Sequence, residues 1–231
     1  PAGIGGVASY DRSVLRRAGG KLYKEGATPA FNSPEGVAGL QCMVDLVPFS
    51  DPGSISYVGI NDATNVMTAG KASMMMNWPF MWKPAQDPAS SKIVGKLGGA
   101  LLPAGPAGSA SIDGTDAWTI TKTSKNPELA QKLIEFYLDK EVQKRQAIDT
   151  GWLPIRLSTL ADPEVQAALP NAAVVLEQAT HPYDSYVTPD YNEVTVALGT
   201  EIQKALQGKS SAADALKEAE SQVAAIVKNR G

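Results

Sequence analysis

A layered α/β fold is what this sequence predicts, on three observations. Helical apolar patterns of about ten to twenty residues recur along the chain. Short apolar runs bounded by Gly and Pro lie between them. The two kinds of pattern are interspersed, which implies layers of helix on sheet. The 231 residues suit one large domain or two lobes, and 43 % hydrophobic against 19 % charged residues leaves enough apolar mass for a core.

Each element has its own signal. Residues 33–48 read as a helix that Ser33 caps, Pro34 opens and Glu35 favours through the helix dipole. Val37, Leu40, Val44 and Val47 share one face of it, and Pro48 ends it. Cys42, inside this pattern, reads as a small buried core residue. Residues 62–70 form a second, short helix closed by Gly70. The runs at 72–76 and 97–102 read as buried strands, and 103–115 is rich in Pro, Gly, Ala and Ser. Residues 116–121 alternate and read as a strand with Trp118 in the core. Asn126 and Pro127 open a helix to about Ala147, with Leu129, Leu133, Phe136 and Tyr137 as its inner stripe and Gly151 as its close. Residues 163–179 are helical, and 181–189 is a loop carrying His181, Tyr183 and Tyr186. A helix over 190–207 turns Val194, Leu198, Ile202 and Leu206 to one side. Gly208 separates it from a last helix over 211–228 with Leu216, Ala219, Val223 and Ile226 inward.

Most reaction chemistry is excluded by counting. His181 is the only histidine, and no Gly-x-Ser-x-Gly elbow accompanies it. One His and one Cys do not make a His/Cys metal site, and one Cys makes no internal disulfide. Gly70-Lys71 resembles the end of a phosphate loop, but Ala72 stands where a hydroxyl is required and Asn65 where a Gly is required. Gly3-Ile4-Gly5-Gly6 lacks dinucleotide spacing. Asp113 and Asp116 are the only close carboxylate pair near an aromatic-rich stretch, so a glycosidase stays open as an alternative. No cofactor, metal or catalytic residue is predicted. A net charge of −3 argues against nucleic acid, and no apolar run approaches the ~18 residues of a membrane helix. No signal sequence is visible, so a targeting segment would lie upstream of Pro1.

What remains is aromatics and amides at element ends. A sugar offers apolar C–H faces for a flat aromatic ring and hydroxyls for planar polar groups, and Trp combines a large apolar body with a polar N–H. Trp78 ends the apolar run 72–76 and leads the candidates for ligand stacking, with Asn77 beside it. Trp82 suits core packing as well as ligand contact. Trp152 follows Gly151 at a suspected hinge, and Arg156 suits either a sugar hydroxyl or a carboxylate. Tyr183, in the irregular loop, is a further candidate for a cleft wall.

The ordered set Ala18-Gly-Gly-Lys, Phe31-Asn-Ser-Pro-Glu-Gly, Gly70-Lys-Ala-Ser-Met to Asn77-Trp78-Pro79, Leu101-Leu-Pro-Ala-Gly, Ser124-Lys-Asn-Pro-Glu-Leu-Ala, Thr150-Gly-Trp-Leu-Pro and Ala213-Asp-Ala-Leu-Lys-Glu-Ala resembles a known family. It is similar to the carboxy-terminal part of the carbohydrate-binding solute-binding proteins of bacterial ABC importers, the group that includes maltose-binding protein. The resemblance implies a periplasmic-binding-protein-like architecture of two α/β lobes joined by hinge strands, with mostly the second lobe present. Residues 1–110 and 157–231 would form that lobe, and 111–156 a hinge plus strand-helix unit of the first. It implies a sugar ligand stacked on Trp78, Asp113-Gly114 at the start of the hinge and Gly151-Trp152 at its return, with Tyr191 as a ligand aromatic. It also implies a monomer without catalysis that delivers ligand to membrane permease subunits, at the periplasmic or extracellular face, with a lipid anchor as one mode of attachment. A binding protein for another solute, such as a polyamine or phosphate ester, is the alternative within the same architecture.

Overall fold

The computed structural model describes residues 12–24, 28–57, 60–112, 114, 116–184 and 189–229. In chain order the helices are α1 (12–18), α2 (Pro34–Leu46), α3 (Ile60–Thr68), α4 (Trp82–Gln86), α5 (Pro127–Leu138), α6 (Lys140–Thr150), α7 (Leu157–Leu160), α8 (Pro163–Ala168), α9 (Asn171–Gln178), α10 (Tyr191–Leu206) and α11 (Ala212–Lys228). Short 3₁₀ turns lie at Val47–Phe49, Ser54–Ser56 and Pro79–Met81. One parallel pair of two-residue strands is present among the described residues: β1 (Ser111–Ile112) runs beside β2 (Tyr183–Asp184), with Ser111 opposite Tyr183. The chain divides into two compact units, one of 1–76, 102–113 and 181–231, the other of 77–101 and 114–180.

The first unit is organised by α10 and α11. Val194, Leu198, Ile202 and Ala205 fall every three or four residues on one face of α10, and Ala212, Leu216, Ala219 and Val223 do so on α11. These faces bury each other together with Leu15, Phe31 and Leu40. Fully burying each large aliphatic side chain contributes up to about 1.5–3 kcal/mol. The tight link between the two helices follows from local chemistry. Gly208 takes φ +68, its N–H reaches the carbonyl of Ala205, and the Lys209 N–H reaches that of Lys204. Ser211 then caps α11 by accepting from the Asp214 N–H at 3.0 Å. In α2, Gly36 sits where a side chain would run into the Phe31 carbonyl, which allows the helix to start hard against its own lead-in. Buried Arg17, on α1, donates to the carbonyl of Pro103 at 3.0 Å and fixes the turn that follows.

The second unit is a cluster of short helices around Ala147, Leu160, Val165, Leu169 and Ala172. Lys144 on α6 bridges Asp162 at 3.2 Å and Glu164 at 2.8 Å, tying α6 to the start of α8.

Several expected features turn out otherwise. The runs at 72–76, 97–102 and 116–121, read as strands, carry no ladder among the described residues. A strand exists only where a neighbour takes up its backbone groups, and an apolar run specifies no neighbour. The helix expected over 126–147 is two helices, because Asp139 is extended and its carboxylate accepts from the Glu141 and Val142 N–H groups, starting α6 afresh. The helix expected over 163–179 breaks at Leu169, which precedes Pro170 and is turned out of helical geometry. Leu129, Leu133, Phe136 and Tyr137 share a face of α5 as their spacing requires, but that face is exposed. Trp118, expected in the core, is 62 % exposed and stacks on Tyr137 at 5.5 Å. Cys42 is exposed, because α2 turns Gly36, Gly39 and Leu40 inward and a residue two beyond Leu40 faces away.

Candidate ligand-binding site

Trp78 is placed by a turn held at both ends. Its backbone is extended (φ −69°, ψ 149°), and its carbonyl accepts from the Met81 N–H, closing the Pro79–Met81 turn. Its own N–H donates to the Asn77 side-chain oxygen at 2.8 Å. Behind the turn, buried Asn171 at the start of α9 donates its amide to the Pro79 carbonyl at 3.0 Å. Trp78 as a whole residue is 37 % exposed. Its six-membered ring lies over Gly114, where an added methyl would meet Cη2 and come within 2.7 Å of Cζ3.

Trp152 stands at the end of α6. Gly151 ends that helix in left-handed geometry (φ +83°), and Lys83 packs across it so closely that a side chain there would collide with the Lys83 methylenes. The Trp152 N–H donates to the Thr150 hydroxyl at 3.2 Å. The residue is 62 % exposed, and its ring stacks on Phe80 with centroids 5.8 Å apart and planes 21° from parallel. The second unit therefore carries an indole seated on Gly114 and an indole backed by a phenyl ring, each with exposed apolar surface suited to a flat ligand face.

The remaining candidates have other surroundings. Trp82 packs against the core of the second unit. Arg156 donates its Nε to the Leu138 carbonyl at 2.9 Å, satisfying one of the free carbonyls at the end of α5. Tyr191 opens α10 in the first unit and is part-exposed. Tyr183 lies in β2; its side chain, like Asp113, Tyr186 and the Gly3–Gly6 stretch, lies outside the described residues. Phe80 and Asn171 support the two indoles and carry no signal in the sequence: one is an apolar residue in an aromatic-rich stretch, the other is 92 residues from its partner. Among the described residues no cluster of three His, Cys, Asp or Glu side chains is placed to hold a metal ion.

Comparison with known proteins gives the chain a family. Residues 2–144 match the model of the bacterial extracellular solute-binding proteins, and the chain belongs to that family. A probable ABC transporter-binding protein of Deinococcus radiodurans is 31 % identical over 218 residues, which are 92 % of this chain and 51 % of that protein. Among solved structures, maltose-bound MalE3 of T. maritima matches with a TM-score of 0.81 at 29 % identity, covering 96 % of this chain and 58 % of that one. An ABC transporter solute-binding protein from Agrobacterium vitis S4 with bound D-mannitol matches at 0.79 and 26 % identity, covering all of this chain and 60 % of that one. The fold is that of the two-lobe periplasmic-binding-protein class, of which this chain supplies a part. The chain spans about half the length of the curated relatives it matches.

Proposed function

We propose that this chain is part of the substrate-binding component of an ABC importer, which takes a sugar into a cleft between two lobes and presents it to permease subunits outside the cytoplasmic membrane. Trp78 carries the reading: it is a part-exposed residue at a pinned turn, at the position where the family resemblance puts a stacking Trp. The maltose and D-mannitol bound by the two structural relatives support a sugar or polyol as ligand. Binding needs no bond to break. Ligand favours closure of the lobes by its higher affinity for the closed state, and the closed state is the one a permease reads.

In this reading 111–156 belongs to the first lobe and 1–110 with 157–231 to the second. The exposed stripe of α5 and the run 116–121, which has no ladder among the described residues, support the first assignment, since a βα unit with an apolar face is built to lie on a sheet. Segments 77–101 and 157–180 pack with 114–156 in one compact unit. The protein acts as a monomer in the periplasm or at the outer face of the cell membrane, without catalysis; among the described residues no helix is long and apolar enough to cross a membrane.

The test is a thermal-shift screen of maltose, D-mannitol, monosaccharides, a polyamine and a sugar phosphate, on the longest form of the protein in which this chain occurs. A sugar or polyol raises the midpoint, and Trp78→Ala abolishes the shift while leaving the unliganded midpoint nearly unchanged. A shift by the polyamine or sugar phosphate alone overturns the sugar assignment.

A further inference from the structure

We propose that Gly114 is the seat of the Trp78 indole, a positioning residue that sets the tilt of the ring and so the ligand it accepts. The contact rests on geometry alone; its consequence for ligand rests on the sugar-binding reading above. A methyl group on Gly114 would meet three atoms of the six-membered ring: Cη2, Cζ3 at 2.7 Å and Cζ2 at 3.1 Å. An indole is rigid, so it can relieve that overlap only by turning as a whole or by moving its backbone. The backbone is held, by the Asn77 oxygen on the Trp78 N–H and by Asn171 on the Pro79 carbonyl. On the Trp78 side, relief therefore falls on the side-chain torsions, which swing the ring away from its present direction. A stacking surface works only when its plane matches the sugar face. A residue with any side chain at 114 thus alters recognition without touching ligand, and the absent side chain is the functional feature.

A double-mutant cycle on the longest form of the protein separates the two parts. Gly114→Ala lowers the unfolding midpoint in the wild-type background and leaves it unchanged in the Trp78→Ala background, because the overlap is then gone. Equal losses in both backgrounds mean that the glycine serves the backbone instead, and the proposal is overturned. If Gly114→Ala fails to fold, a folded Gly114→Ala/Trp78→Ala double variant supports the seat and an unfolded one overturns it. With 5-fluorotryptophan labelling, Gly114→Ala moves the fluorine resonance assigned to Trp78 by its loss in Trp78→Phe, and leaves that of Trp118 in place. An unmoved Trp78 resonance also overturns the proposal. Titration with maltose then gives an affinity about tenfold weaker for Gly114→Ala, the scale set by a strained side-chain torsion. Unchanged affinity overturns the link to recognition, whereas a wild type that ignores maltose and every other sugar removes the function reading and leaves the seat to be judged by the cycle.

Discussion

At Gly151 two separate demands meet on one residue. Its φ of +83° lies in the left-handed region, and Lys83 fills the space where a Cβ would stand, with the Lys83 Cβ 2.9 Å from that position. Gly151→Ala should cost about 1–2 kcal/mol through the backbone term, plus whatever Lys83 needs to move aside. Urea unfolding measures the sum, and adding Lys83→Ala should recover the part of the steric cost that comes from the Lys83 Cγ and Cδ, since the Cβ remains. Asp162 makes a different kind of prediction. The Glu164 N–H, and after it the Lys144 ammonium, hold its carboxyl below the usual carboxylate value. A depressed pKa stabilises the fold above the unfolded value and loses that contribution as pH falls through the folded one. Lys144 has the opposite sign: Glu164 first, then Asp162, raise it, so its contribution is complete at neutral pH and fades only as strongly alkaline pH passes the raised value. Asp162→Asn keeps a capping oxygen and removes the titration. Its melting midpoint should therefore fall less steeply than that of the wild type below about pH 4, as read by circular dichroism.

At the scale of elements, ends prove more legible than partners. Ser33, Gly70 and Gly208 mark helix ends in the sequence, and the structure uses all three, with Ser211 capping α11 besides. Asp139 does the same within what reads as one continuous helix. Its side chain starts α6 by accepting two N–H groups, so Asp139→Ala should cost about 1 kcal/mol and lower the unfolding midpoint of the second unit. The division at Leu169-Pro170 likewise has a local cause in the sequence, a residue before proline. The α5 stripe shows the converse. Its period is right and its residues share a face, yet spacing says only that a face is apolar, and what lies beneath it is decided elsewhere.

At the scale of the whole molecule, the chain corresponds to about half of its curated relatives. If a cleft between two lobes is the binding site, the isolated 231-residue chain offers at most part of each wall. It should bind maltose with a dissociation constant above about 1 mM, a free energy weaker than roughly −4 kcal/mol. Calorimetry returning micromolar affinity for this chain alone would show that one wall suffices and would remove closure from the mechanism. Of the candidate site, Trp78, Asn77 and Trp152 were visible as aromatics and amides at element ends. Phe80 and Asn171 were not, because support from behind leaves no trace in local pattern.

By itself the sequence determined the helix ends marked by Ser33, Gly70 and Gly208, which faces of α10 and α11 are apolar, and to which family the chain belongs. Those properties are written within a turn or two of backbone, or in the order of short motifs. Only the tertiary structure decided that three apolar runs carry no ladder among the described residues, that Cys42 and Trp118 face outward, and that Trp78 rests on Gly114. Each of those depends on which distant segment comes alongside, and a backbone group or a ring finds its neighbour through packing rather than through the residues next to it in the chain.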